Sequence, residues 1–101
     1  EIMTTAAPFT AQQALEYGLV SAVVPPEALM DTVLAVAAQI ASRAPLSVRG
    51  LKRVVHQGQD LDLKRAMDLE LSIYNSLFTT EDRREGVSSF NEKRTPAFQG
   101  L

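Results

Sequence analysis

The sequence predicts a mainly α-helical chain with one short extended segment near its N-terminus. Apolar residues recur at three- and four-residue spacing through most of its length, the period of a helix that buries one face. Residues that cap helices, such as Thr10, Asp62 and Thr80, stand ahead of those runs, and Gly or Pro stands behind them. Only residues 19–24 break the pattern, being rich in β-branched side chains and bounded by Gly18 and by Pro25-Pro26.

Taken in order, Thr10-Ala11-Gln12-Gln13 has the form of a capping box, a Thr with a Gln three residues on, and the helix it opens should stop at Gly18. Leu19-Val20-Ser21-Ala22-Val23-Val24 then reads as extended, although one strand cannot make a sheet alone. From Pro26, a residue suited to the first helical position, Leu29, Met30, Val33, Leu34, Ala37, Ile40 and Ala41 keep helical spacing until Ser42-Arg43-Ala44-Pro45 interrupts. The helix after Pro45 carries Leu51, Val54 and Val55 on one face and Arg49, Lys52 and Arg53 around the other, ending near Gly58.

Asp60 or Asp62 can cap the next helix. There Leu63, Ala66, Met67, Leu69, Leu71, Ile73, Tyr74, Leu77 and Phe78 spread beyond one narrow stripe, so packing on two sides is expected. Thr79-Thr80-Glu81-Asp82 combines cap residues with first-turn acids and opens a final helix that Thr95-Pro96 should close. In that helix Val87 and Phe90 share a face, and Lys93 and Arg94 fall in the last turn, where cations suit the dipole.

A length of 101 residues fits one domain, residues 1–101. A chain of this size buries only about 60–70% of its unfolded surface, so partners that cover the remainder are expected. Ten basic residues are outweighed by twelve acidic ones, which argues against a nucleic-acid binder. The absence of cysteine excludes disulfides and thiolate metal sites and suits a reducing cytoplasm. The longest apolar stretch, residues 33–38, is too short to cross a bilayer, so no membrane span is expected. An opening at Glu1 rather than at a methionine reads as a piece of a longer protein.

With one His, no Cys, no Gly-rich phosphate loop and no metal-ligand spacing, no catalytic residue, no metal ligand and no cofactor site is nominated. His56 reads as a helix C-terminal residue favoured by the dipole. Glu81, Asp82 and Glu85 have the makings of paired carboxylates but read as dipole complements and ion pairs beside Arg83 and Arg84. Glu70, inside an apolar helix, is expected to meet a buried partner such as an arginine. Arg49, Lys52 and Arg53 read as a solvated face, with contacts to a phosphorylated ligand as the sharper alternative. Phe90 taken alone reads as core packing; taken with Lys93 and Arg94 it offers stacking for a planar base and charge for a phosphate.

Two segments carry a resemblance. Glu85-Gly86-Val87-Ser88-Ser89-Phe90-Asn91-Glu92-Lys93-Arg94-Thr95-Pro96-Ala97-Phe98 is similar to the closing run of the crotonase (enoyl-CoA hydratase/isomerase) superfamily, E-G-x-x-A-F-x-E-K-R-x-P-x-F, with Ser89 where Ala is usual. Phe9-Thr10-Ala11-Gln12-Gln13-Ala14-Leu15-Glu16-Tyr17-Gly18-Leu19-Val20 resembles the family's F-x-A-x-x-A-x-x-x-G-L-V pattern, and Val23-Val24-Pro25 and Ala44-Pro45 follow in the family's order. The resemblance covers essentially the whole chain and implies the C-terminal helical domain of the crotonase fold. The preceding spiral ββα domain, which carries the oxyanion-hole amides and the acid/base carboxylates, has no counterpart in it.

It further implies a part in an enoyl-CoA hydratase, which adds water across a 2-enoyl-CoA through an enolate stabilised by backbone amides elsewhere. Enoyl-CoA isomerase and acyl-CoA decarboxylase are the alternatives within the superfamily, and a non-catalytic helical interaction module is the alternative outside it. By position, Phe90 and Lys93 match residues near the CoA adenine and its 3'-phosphate, and Tyr74 matches an aromatic that lines the acyl pocket. Acyl-CoA is then a substrate and no cofactor is implied. The same resemblance implies a homotrimer or a hexamer of paired trimers, and a chain that is inactive by itself.

Overall fold

The computed structural model describes every residue from 1 to 101, and all of its regular elements are helical. Two compact units divide the chain, Glu1–Leu34 and Ala35–Leu101.

The first unit opens with α1, Ile2–Thr5, a single turn that the sequence pattern did not announce. The Thr4 and Thr5 hydroxyls donate to the Glu1 carbonyl at 3.0 and 2.9 Å, tying a turn too short to hold itself. In α2, Ala11–Glu16, the expected capping box is present: the Thr10 hydroxyl accepts the Gln13 amide at 3.2 Å and Gln13 Oε1 accepts the Thr10 amide at 2.9 Å. The helix also stops where the glycine requires. Gly18 is left-handed at φ 73°, its amide donates to Leu15 O at 3.0 Å, and the Leu19 amide reaches back to Ala14 O at 2.9 Å, the two bonds of a Schellman turn.

Residues 19–24 join no ladder, as expected of a single extended segment that cannot make a sheet alone. β-branched residues suit a ladder, but the rest of the chain is helical and offers no second strand to pair with. The segment passes through Pro25, at φ −56° and ψ 146°, into a 3₁₀ turn, Pro26–Ala28, with Pro26 at its first position as expected. It continues directly into α3, Leu29–Ala41, which begins in the first unit and ends in the second. None of the residues of α3 is buried, although Leu29, Met30, Val33, Leu34, Val36 and Ile40 are large and apolar.

The second unit holds α4, Pro45–Gly58, α5, Leu63–Leu77, α6, Glu81–Glu92, and the tail, residues 93–101. Helices α4 and α5 pack antiparallel, since a Cβ built on Gly50 would stand 3.0 Å from Ile73 Cγ2 while one on Gly58, about two turns further on, would stand 3.8 Å from Ala66 Cβ. The first of these distances is tighter than most Cβ contacts, so a side chain at position 50 would press on Ile73, and Gly50 lets the helices approach closely. Asp62 rather than Asp60 caps α5, accepting the Arg65 amide at 3.1 Å. Ile73 is the one large apolar side chain of the unit that is buried. Met67, Leu71, Tyr74 and Phe78 stay exposed, so α5 is covered on one side only within this chain.

Thr80 caps α6 by accepting the Arg83 amide at 3.2 Å. The helix ends at Glu92, earlier than the Thr95-Pro96 stop that the sequence suggested. Lys93 turns left-handed at φ 55° and ψ 37°, its amide donates to Phe90 O at 3.3 Å, and the Arg94 amide returns to Ser89 O at 3.0 Å. The closure is the one seen at Gly18, made here with a lysine at the position that favours glycine. Lys93 and Arg94 consequently lie beyond the helix and not in its last turn.

Candidate functional site

The tail returns along α6 and is fastened there by two acidic side chains of the helix. Asp82, only 3% exposed, accepts the Gln99 amide at 2.7 Å on Oδ1 and the Gly100 amide at 2.9 Å on Oδ2. The Asp82 amide in turn donates to Leu101 O at 3.2 Å. One helical turn further on, Glu85 accepts the Ala97 amide at 2.8 Å and receives the Arg94 guanidinium on both oxygens, at 2.5 and 2.8 Å. Charge-assisted bonds of this two-pronged kind fix direction as well as distance. The Arg94 fork is also held by Glu92, Nε to Oε2 at 2.6 Å.

These contacts set the protonation of the pair. The Arg94 hydrogen bond, followed by that of the Ala97 amide, pulls the Glu85 carboxyl down to about 2, and the Arg94 guanidinium holds its proton more firmly than usual because of Glu85 and Glu92. A shallow groove of about 510 Å³ between helix and tail is lined by Glu81, Glu85, Ser88, Glu92, Arg94 and Gln99. Gly86 admits the Phe98 ring beside the helix, where a Cβ would make ordinary contact at 3.7 Å.

Phe90 and Lys93 are joined at the end of α6 by the turn that closes the helix. Phe90 is 83% exposed, which corrects the core-packing reading of this residue taken alone. Lys93 is exposed and its side chain makes no hydrogen bond or ion pair, in contrast to that of Arg94 beside it. The two cations treated alike in the sequence are therefore different: Arg94 is engaged at the surface by Glu85 and Glu92, and the Lys93 side chain is free. Tyr74 belongs to another cluster, its ring 6.2 Å from that of Phe78, over which the Arg83 guanidinium lies at 3.6 Å.

Other expectations divide. Glu70 is exposed and meets no arginine, a correction whose cause is that its side of α5 is uncovered in this chain. Glu81 pairs with Arg84 at 2.7 Å, as the ion-pair reading of the acids anticipated. Arg49, Lys52 and Arg53 are exposed on α4, and His56 lies exposed in its last turn. Asp82 was read as a dipole complement, and its role as the buried acceptor for the tail was missed. No local signal marks it, because its partners lie 17 and 18 residues away.

This architecture, five helices after an opening turn with the last one strapped by its own tail, is the helical domain of the crotonase fold. The chain superposes on enoyl-CoA hydratase from Bacillus anthracis with a TM-score of 0.88 and 41% identity, over 90% of this chain and 35% of that one. On an enoyl-CoA hydratase from Geobacillus kaustophilus the TM-score is 0.90 at 35% identity, over 96% of this chain and 37% of the other. The chain belongs to the enoyl-CoA hydratase/isomerase family, whose model matches residues 1–101. Among its relatives, the (E)-benzylidenesuccinyl-CoA hydratase of Thauera aromatica is 42% identical over 100 residues, 99% of this chain and 39% of that protein. The 2,3-dehydroadipyl-CoA hydratase of Escherichia coli K12 is 40% identical over 91 residues, 90% of this chain and 36% of that protein. The chain thus spans about two fifths of the length of the relatives it matches.

Proposed function

We propose that this chain is the C-terminal, helical part of an enoyl-CoA hydratase, completing the CoA pocket and forming subunit contacts, while the oxyanion hole and the acid/base carboxylates reside elsewhere in the enzyme. The observation that carries the reading is the pair at the end of α6, an aromatic ring left 83% exposed and a lysine without a partner. A planar base can stack on Phe90 and a phosphate can meet Lys93. Hydration is favoured over isomerisation or decarboxylation because the relatives described above are named hydratases. Acyl-CoA is then the substrate, with no cofactor required.

The apolar side chains left open on α3 and α5 support assembly as a homotrimer or hexamer, since faces of this kind are covered by partners in stable proteins. Tyr74, 58% exposed on α5, is assigned to the acyl pocket on the same reading. A soluble cytoplasmic enzyme accords with the absence of cysteine and of any helix long and apolar enough to cross a membrane.

The test is Lys93→Ala in the full-length enzyme. KM for the enoyl-CoA substrate should rise about tenfold, the worth of one charge-assisted contact, with kcat little changed. An unchanged KM would remove Lys93 from the CoA site.

A further inference from the structure

Lys93 occupies a left-handed conformation that costs a non-glycine residue energy, so something must hold the chain on both sides of it. On the helix side the Ser89 carbonyl takes the Arg94 amide at 3.0 Å. On the tail side the fastening is made by Glu85, which grips Arg94 with both oxygens and takes the Ala97 amide at 2.8 Å. The same grip keeps the Arg94 cation and the Glu85 and Glu92 carboxylates occupied with one another. Were it released, two carboxylates would be free to compete for Lys93 and to repel an incoming phosphate.

We propose that Glu85 is a positioning residue for CoA recognition: through Arg94 and Ala97 it holds the left-handed turn that presents Lys93 and leaves that lysine as the only unpaired cation past the end of α6. The proposal rests on the reading of Lys93 as a CoA-phosphate contact. Glu85 itself touches no substrate. Its effect should therefore appear only where the phosphate is present.

Charge alone predicts the opposite sign, which makes the proposal testable. Removing a carboxylate near the site makes the surroundings more positive and should improve binding of an anion. Loss of positioning should weaken it. The experiment compares KM for a CoA thioester and for the matching 3'-dephospho-CoA thioester in the full-length enzyme and in Glu85→Gln, Lys93→Ala and the double variant. In Glu85→Gln an amide group must replace one oxygen that accepts from Arg94, so a donor faces a donor.

The preference for the 3'-phosphate should fall about three- to tenfold in Glu85→Gln, through KM rather than kcat, and should vanish in Lys93→Ala. The double variant should show no further loss beyond Lys93→Ala. Preference that is kept or increased in Glu85→Gln, or both substrates weakened equally, would overturn the positioning role while leaving Lys93 as a ligand. Preference unchanged in Lys93→Ala would overturn the CoA-phosphate reading and the proposal with it. Arg94→Lys keeps the charge and gives up the fork; it serves as the milder variant if Glu85→Gln does not fold, with the same expectation and the same overturning results.

Discussion

Asp82 and Gln99 meet at 2.7 Å, a carboxylate oxygen of the first turn of α6 accepting an amide of the tail seventeen residues later. Because the other oxygen takes the Gly100 amide at 2.9 Å, both acceptors of a buried side chain are used on backbone that has no other ladder to join. The arrangement makes a strap of the tail instead of a loose end.

Replacing Asp82 by Asn keeps one acceptor and turns the other into a donor that opposes an amide N–H. The expected cost is about 1–3 kcal/mol, the penalty of leaving a buried polar group unmatched. Urea denaturation measures it, and hydrogen exchange at the Gln99 and Gly100 amides should quicken in the variant. Exchange rates equal to those of the parent would mean that the strap is held by other contacts.

The acid response follows from Glu85. Its carboxyl is lowered from 4.5 to about 2, chiefly by the hydrogen bond from Arg94, so the folded state favours the ionised form. A depressed carboxyl contributes its full stabilisation above 4.5 and loses it progressively as pH falls towards about 2. Glu85→Gln should lose this acid-dependent component, giving a flatter stability profile across that window. Two profiles of equal slope, measured by urea midpoints at successive pH values, would show that the pair does not form in solution.

The left-handed lysine makes a prediction in the other direction. Lys93→Gly relieves the conformational cost of positive φ, whereas Lys93→Ala keeps it, and both remove the charge. The glycine variant should be more stable than the alanine variant by about 0.5–1 kcal/mol, after allowing for the greater freedom of glycine in the unfolded chain. Thermal unfolding of the two side by side decides the matter; alanine as the more stable of the pair would contradict the left-handed turn.

Much of the helical architecture was legible because its determinants are local. The Thr10 and Gln13 capping box, the stop at Gly18 and the caps at Asp62 and Thr80 each involve residues within a few positions of one another. What could not be read depends on distant pairing. Residues 19–24 have the composition of a strand but no strand to meet, and nothing in their own sequence records that lack. Glu85 and Arg94 are nine residues apart, a separation that places them together only because the chain reverses at Lys93, where lysine gives no sign of a left-handed turn. Phe90 has the character of a core residue, and nothing in its own segment records that the folded chain leaves it exposed. The resemblance to a family singled out Phe90 and Lys93, but it was silent on which groups hold them in place.

The scarcity of covered apolar side chains has a calorimetric consequence. Ala14 and Ile73 are the only buried hydrophobic residues, and Asp82 and Ser89, both polar, match them in number. Heat-capacity change on unfolding grows with apolar surface exposed and is reduced by polar surface. Melted by itself, this chain should therefore show a heat-capacity increment well below the usual ~12–15 cal/mol/K per residue and a correspondingly flat stability curve.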